Sequence, residues 1–233
     1  MLKSGNVKIT NTKAIANEFN SYFGNVGANL AQQIPTADTS FQEFLCKSPC
    51  SSFYLFPNTN IEIEDELSNL NTSKATGPYS IPTKLLKILM YIISGPLATL
   101  FNYSLSSGTV SSKLKVVRII PIHKKGPRTV KSNYRPISLL SVFNKILEKL
   151  VYNRLLKFLE KNEIIFDGQF GFRSNHSTSH AILHIVDKIQ KAIEAKKISC
   201  GIFLDLSKAF DTVNHNILLK KSQHYGIRDL AYN

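Results

Sequence analysis

Apolar residues recur at helical spacing in six stretches of this chain, and each stretch predicts an α-helix. In the clearest of them, Ile146, Leu150 and Leu155 fall on one stripe while most of the lysines lie off it. An amphipathic stripe of this kind is typical of a helix that packs one face against a core. The predicted helices cover residues 11–33, 62–70, 83–90, 96–105, 142–161 and 178–197.

Polar residues at the ends of these stretches predict where the helices begin. Asn11 or Thr12 can cap the first helix, and Ser177 or Thr178 can cap the last one. Pro96 suits the first turn of its helix, because proline lacks the N–H that a first turn leaves unpaired. Residues 36–60 are rich in Ser, Thr, Pro and Asn and predict a connector.

Two runs rich in β-branched residues predict strands that are joined as a hairpin. Residues 115–122 and 133–139 flank a basic turn at 124–128, and Pro121 restricts the first strand to a sheet edge or a hairpin margin. A third apolar run, residues 202–204, predicts a short strand buried on both faces, which Asp205 then interrupts.

The composition is that of an ordinary globular protein, with 43% hydrophobic and 19% charged residues among 233. No signal peptide or transmembrane segment is apparent, so an intracellular protein of the cytoplasm and nucleus without a membrane partner is expected. Cys46, Cys50 and Cys200 lack the matching Cys or His pair of a zinc site.

The positive charge is concentrated in one block of the chain. Residues 112–161 contain 13 Lys and Arg against two acidic residues, a net charge of +11 out of +13 for the whole sequence. A concentrated basic block indicates a polyanionic partner, and nucleic acid is the leading candidate. The predicted hairpin supplies fixed cations suited to a triphosphate or a nucleic-acid backbone, namely Arg118, Lys124, Lys125, Arg128, Lys131 and Arg135.

Asp205 has two interpretations from the residues alone. A carboxylate at the end of a buried strand is costly unless it is paired or binds a metal. Alternatively, Asp205 or Ser207 caps a following helix by accepting backbone N–H bonds. The residues by themselves leave both interpretations open.

Five segments, taken in order, resemble the reverse transcriptases of non-LTR (LINE-type) retrotransposons. Any one of them would be weak evidence, whereas five in matching order and spacing are strong evidence. They are residues 74–78 (KATGP), 119–126 (IIPIHKKG), 133–139 (NYRPISL), 169–173 (QFGFR) and 203–211 (FLDLSKAFD).

The resemblance implies a role for several residues at matching positions. Asp205 matches the first catalytic carboxylate, which binds two metal ions in the family, and Leu206 matches the next residue, whose backbone carbonyl contacts a metal there. Phe210 matches the aromatic residue that stacks under the sugar and disfavours a ribose 2′-OH. Lys124 and Arg135 match the cations that hold the incoming deoxynucleoside triphosphate (dNTP). The expected nucleic-acid contacts along the template and primer are Arg118, Lys125, Arg128, Gln169, Phe172 and Arg173.

The fold implied is α/β (α+β), the right-handed polymerase, with helix-rich fingers that carry the basic hairpin and an incomplete palm. We expect a helical extension and linker at 1–60, fingers at 61–198 and the start of a palm at 199–233. Implied ligands are Mg²⁺ or Mn²⁺, a dNTP, an RNA template and a DNA primer.

The family's second pair of metal-binding carboxylates lies beyond Asn233, so we expect no polymerisation by this polypeptide alone. The alternative function is a non-catalytic nucleic-acid-binding module that keeps the basic hairpin.

Overall fold

Helices dominate the chain, and two small antiparallel sheets accompany them. The computed structural model describes residues 1–4, 7–35, 38–206 and 208–232. The helices are α1 (Thr12–Ala31), α2 (Asn60–Ser68), α3 (Thr83–Ile88), α4 (Met90–Ser107), α5 (Val142–Lys161), α6 (Thr178–Glu194) and α7 (His215–His224). The strands are β1 (Leu2–Ser4), β2 (Val7–Ile9), β3 (Val117–His123) and β4 (Tyr134–Leu140), and short 3₁₀ turns lie at Phe41–Phe44, Lys131–Asn133 and Asp229–Ala231.

The helix caps account for most of the helix starts. The Asn11 side chain accepts a hydrogen bond from the Ala14 N–H at 3.1 Å, and the Ser177 hydroxyl accepts one from the His180 N–H at 3.3 Å. Both caps were among the predicted ones, and α5 covers the residues expected from its stripe. The short helix α7 was not predicted, although Asn214 caps it.

The start of α4 differs from the prediction. Pro96 lies inside this helix rather than in its first turn, because α4 begins six residues earlier at Met90. Proline there removes a hydrogen bond to the carbonyl of Ile92. The side chains of Tyr91 and Ile92 are 73% and 72% exposed, so this turn lies at the surface, where water can replace the lost bond.

The core lies between α2, α4 and α5. Phe101 of α4 is fully buried, and Ile63 and Leu67 of α2 pack with Ile146 and Leu150 of α5 around it. These positions are three or four residues apart on each helix, so each helix contributes one face. The predicted inward position of Leu85 on α3 was wrong, since its side chain is 47% exposed and Leu86 is the buried residue there.

The predicted hairpin is confirmed. Strands β3 and β4 pair antiparallel, with His123 opposite Tyr134 near the loop and Val117 opposite Leu140 at the base. Pro121 stands directly opposite Pro136. Neither residue has an N–H, so this pair must be one that exchanges no hydrogen bonds, and both strands are edges as Pro121 required.

The predicted strand at residues 202–204 is wrong. This segment is irregular, and Ile202, Phe203 and Leu204 are 83%, 88% and 87% exposed. A strand needs a partner for its backbone groups, and no third strand lies beside either hairpin in the part of the chain that the structure describes. Asp205 therefore follows an exposed irregular segment, not a buried strand.

Helix α6 shares this exposure along its apolar stripe, since none of its residues is buried. Its exposed apolar side chains are Ile182, Leu183, Ile185, Val186, Ile189 and Ile193.

The helix-cap interpretation of Asp205 is not supported, because the next helix begins ten residues later, after its Asn214 cap. Ser207, the other predicted cap, lies outside the described residues. The coarse fold class, a mixed helix-and-strand protein, is as predicted. Within the described residues, no helix is both long and apolar enough to cross a bilayer.

Candidate functional site

The basic loop between β3 and β4 has a defined conformation. The Lys124 N–H donates to the Asn133 carbonyl at 2.8 Å and extends the ladder beyond the strands. Gly126 has a φ of +79°, a conformation that glycine adopts without strain, and its carbonyl lies 2.9 Å from Nε2 of His123. The Tyr134 hydroxyl donates to the Arg128 carbonyl at 2.8 Å. The loop is thus held by backbone hydrogen bonds and by the side chains of His123 and Tyr134, while Lys124, Lys125 and Arg128 are exposed.

Four cations of this loop and its flanks are exposed: Lys124, Lys125, Arg128 and Arg135. None of these four cations takes part in an ion pair with another described residue. The ion pairs among the described residues are Lys131 with Glu18, Arg154 with Glu62 and Lys191 with Asp187. Lys131, also expected in the cationic set, is instead neutralised by an acidic partner. Arg118 donates to the Thr76 carbonyl at 3.1 Å, which ties the first motif to β3.

The segment containing Gln169, Phe172 and Arg173 is a series of turns before α6. The Gln169 side chain donates to the Gly171 carbonyl at 3.3 Å, and Arg173 donates to the Phe166 carbonyl at 3.4 Å. Phe172 has a φ of +62°, which is unusual for an aromatic residue, and its ring is 82% exposed.

The ring of Phe172 contacts that of Phe210 edge to face, with centroids 5.7 Å apart. This contact joins the fourth and fifth motifs of the sequence.

Residues 208–212 form a tight turn after the exposed apolar segment. The Lys208 carbonyl accepts hydrogen bonds from the N–H groups of Asp211 at 2.8 Å and Thr212 at 3.2 Å, and Lys208 itself has a φ of +52°. The side chains of Leu206 and Phe210 are 74% and 78% exposed. From the sequence, Asp211 is expected to be structural, helix-starting or hydrogen-bonding, rather than metal-binding. It lies in this turn and not at the start of a helix, and its N–H takes part in the turn's hydrogen bonding.

A cleft of about 750 Å³ lies between the hairpin loop and this turn. It is large enough for a nucleotide, since small-molecule sites are typically about 300–1,000 Å³. Its walls combine cations, carboxylates and an exposed aromatic ring. The lining residues are Lys124, Ser132, Asn133, Tyr134, Arg135, Pro136, Asp205, Leu206, Lys208, Ala209, Phe210 and Asp211.

The cleft brings together five of the predicted site residues, from segments about seventy residues apart: Lys124, Arg135, Asp205, Leu206 and Phe210. Phe172 reaches it only through the ring of Phe210. The predicted residues that do not line it are Arg118, Lys125, Arg128, Gln169 and Arg173.

Several lining residues were not predicted from the sequence. Lys208 stands in the same motif as Asp205, and Tyr134 stands next to Arg135, so their places in those motifs were the available signal. No local sequence pattern indicates that helix α1 packs against this region.

The oxygen donors of the cleft suit a magnesium ion held jointly with phosphates. Mg²⁺ in such sites takes one or two carboxylates and completes its shell with phosphate oxygens and water. Asp205 and Asp211 are the carboxylates among the described residues that line the cleft, and Leu206 lines it as well. Among the described residues, no group of three or more His, Cys, Asp or Glu side chains is arranged to hold an ion without such help.

Comparisons with known proteins identify the family of this chain. The family model for reverse transcriptase (RNA-dependent DNA polymerase) matches residues 122–232. The RNA-directed DNA polymerase from mobile element jockey of Drosophila melanogaster is 37% identical over 164 residues, which cover 70% of this chain and 18% of that protein. The chain belongs to the non-LTR retrotransposon reverse transcriptases.

Two further Drosophila melanogaster proteins extend the match. The probable RNA-directed DNA polymerase from transposon BS is 33% identical over 71% of this chain and 19% of its own length. The corresponding X-element protein is 30% identical over 81% of this chain and 20% of its own length. The chain thus spans about a fifth of the length of the curated relatives it matches. These three relatives are named as RNA-directed DNA polymerases.

Proposed function

We propose that the cleft binds a dNTP together with Mg²⁺ or Mn²⁺, as part of RNA-directed DNA synthesis. The observation that supports this most is the meeting of Lys124, Arg135, Asp205 and Phe210 around one nucleotide-sized cleft. Cations, a carboxylate and an aromatic ring are the groups that a triphosphate, its metal ion and its sugar require.

Each residue has a distinct task in this proposal. Arg135 offers a planar fork to phosphate oxygens, and Lys124 offers a mobile point charge, so both stabilise the negative charge that grows on the leaving pyrophosphate. Asp205 and the Leu206 carbonyl would hold the metal ion. When bound, that ion supplies charge stabilisation for an in-line displacement at the α-phosphate. The exposed ring of Phe210 is available to stack under the sugar.

Nucleic acid would follow the outer surface of the same region. The cations Arg118, Lys125 and Arg128 lie outside the cleft and suit the RNA template backbone. Gln169, Phe172 and Arg173 are expected along the template and the DNA primer. In this proposal residues 61–198 correspond to fingers and residues 199–233 to the start of a palm, and the protein acts in the cytoplasm and nucleus.

The test is equilibrium binding of a radiolabelled dNTP to the full 233-residue chain. Lys124→Ala and Arg135→Ala are each expected to raise Kd by about 10-fold or more, since a hydrogen bond to a charged group is worth about 1.5–3 kcal/mol. Lys188→Ala, an exposed cation on α6, is the matched control and should leave Kd unchanged.

Asp205→Asn separates the metal contribution from that of the cations. Wild-type binding should strengthen when Mg²⁺ is added, and binding by this variant should not. Equal affinity of all variants for the dNTP, with or without Mg²⁺, would contradict the proposal.

The second candidate function is that of a non-catalytic nucleic-acid-binding module. The small number of carboxylates in the cleft is the reason to retain this candidate. Of the described residues that line the cleft, only Asp205 and Asp211 carry carboxylates, whereas two-metal chemistry holds two ions about 3.5–4 Å apart. We therefore retain the expectation that this polypeptide alone does not extend a primer on an RNA template. RNA binding without any dNTP binding would favour the second candidate.

A further inference from the structure

Helix α1 contacts the hairpin side of the cleft. Glu18 forms an ion pair with Lys131, in the 3₁₀ turn that precedes β4. The next residue along the helix, Phe19, is 8% exposed, and its ring packs edge-on against Tyr134, with centroids 4.8 Å apart. Tyr134 lines the cleft next to Arg135. The N-terminal helix thus fixes the strand that carries one of the proposed phosphate-binding cations.

The same helix contacts the opposite side through Tyr22. The Lys208 ammonium lies 4.9 Å from the centre of the Tyr22 ring and donates a hydrogen bond to its hydroxyl at 3.1 Å. Lys131 approaches the same ring at 5.3 Å. An aromatic ring attracts cations to its electron-rich face, so the Tyr22 ring contacts both ammonium charges. Those charges belong to the two sides of the cleft.

A close backbone contact lies one and a half turns beyond Tyr22. A methyl group placed on Gly27 would lie 2.3 Å from the carbonyl oxygen of Asp211 and 3.2 Å from its carbonyl carbon. Backbone atoms of the turn cannot move aside as a flexible side chain can, so only glycine allows this approach. Gly24, on the same helix, has no atom within 4 Å of such a methyl group.

The turn held in this way is the one that follows Asp205. Lys208 has a φ of +52°, and non-glycine residues adopt that conformation only where their surroundings impose it. The side chains before it, Phe203 to Leu206, are exposed, so the core does not fix their positions. Helix α1 therefore supplies the contacts that set this turn relative to the hairpin.

We propose that helix α1 is a positioning element of the cleft, with Tyr22 and Gly27 setting the separation between the hairpin cations and the segment from Asp205 to Asp211. This inference rests on the proposed dNTP site. Tyr22 and Gly27 are positioning residues, because they act through Lys208 and Asp211 and do not line the cleft themselves.

The test compares Tyr22→Leu and Gly27→Ala with the matched controls Tyr22→Phe and Gly24→Ala in the full chain. Tyr22→Phe keeps the aromatic ring and loses only the hydroxyl. For dNTP binding, the first two variants should raise Kd about 10-fold, and both controls should stay within about threefold of wild type. Affinity for single-stranded RNA should be unchanged in all four, which a general loss of folding would not allow.

Amide hydrogen exchange in residues 208–212 supplies a readout that needs no ligand. Exchange there should be faster in Tyr22→Leu and Gly27→Ala than in the two controls, with β3 and β4 unchanged. If exchange and Kd are the same in Gly27→Ala and Gly24→Ala, the positioning role is refuted. If wild type binds no dNTP while the exchange difference is present, the proposed function fails and the role of α1 in holding the turn stands.

Discussion

The exposed cations of the basic loop allow a quantitative prediction about RNA binding. Lys125 and Arg128 are exposed, take part in no ion pair among the described residues, and lie outside the cleft. Replacing both with alanine removes two of the proposed phosphate contacts while leaving Lys124 and Arg135 in place. A protein that neutralises phosphates releases bound counterions, so its affinity falls as salt rises, with a log–log slope of about −0.7 per contact on a single strand.

Two lost contacts should therefore flatten that slope by about 1.4. If the affinities of the two proteins converge at about 1 M salt, the double variant binds about 25-fold more weakly at about 0.1 M. Fluorescence anisotropy with a labelled single-stranded RNA, at KCl concentrations from about 50 to about 300 mM, measures both quantities.

The matched control for this experiment carries the same net charge. The double variant Lys84→Ala and Lys188→Ala also removes two exposed positive charges, but these lie on α3 and α6. Its slope should equal that of wild type. Equal flattening in the two double variants would show that overall charge, not the hairpin loop, determines binding, and would refute the reasoning.

Three further predictions concern stability. Gly77→Ala should lower the free energy of unfolding by about 1–3 kcal/mol in denaturant titrations, because the added methyl group would lie 2.3 Å from the carbonyl oxygen of Leu140. The control Gly171→Ala should leave the free energy of unfolding unchanged, because no atom lies within 4 Å of its added methyl group. Phe101→Ala, in the centre of the core, should cost about 3–5 kcal/mol by the same measurement. Burial alone would raise the pKa of Glu62, but the Thr59 N–H and the Arg154 guanidinium outweigh it and hold that pKa below its usual value. The unfolded state then binds more protons, so the stability advantage of wild type over Glu62→Gln should be full near pH 6 and disappear as the pH falls below the usual glutamate pKa of about 4.3.

Elements stabilised by nearby residues were predicted well. Helix α5 occupies the predicted residues because its stripe, its Ser141 cap and its basic C-terminus all favour the same limits. The hairpin was predicted from two β-branched runs that flank a basic turn. Its paired prolines, Pro121 and Pro136, are compatible with a two-stranded sheet in which both strands are edges.

Elements that depend on distant partners were not predictable in the same way. The apolar run at 202–204 has the composition of a buried strand, yet nothing pairs with it among the described residues. The grouping of Lys124, Arg135 and Asp205 was expected only from the family resemblance, because composition and periodicity do not bring distant segments together. The contact between Tyr22 and Lys208 joins residues 186 positions apart, and the sequence around neither residue indicates it.

The two sides of the cleft differ in how they are supported, and this difference affects ligand affinity. Tyr134 and Arg135 belong to a paired strand that α1 holds through Phe19, whereas Asp205 follows an exposed segment. Ordering flexible groups on binding costs about 0.5–1.5 kcal/mol for each side chain immobilised. A dNTP that engages both sides bears this cost for the Lys124 and Arg135 side chains, and on the Asp205 side it must order the exposed segment as well. Contacts that hold the turn in advance, such as those of Tyr22 and Gly27, therefore raise affinity without touching the nucleotide.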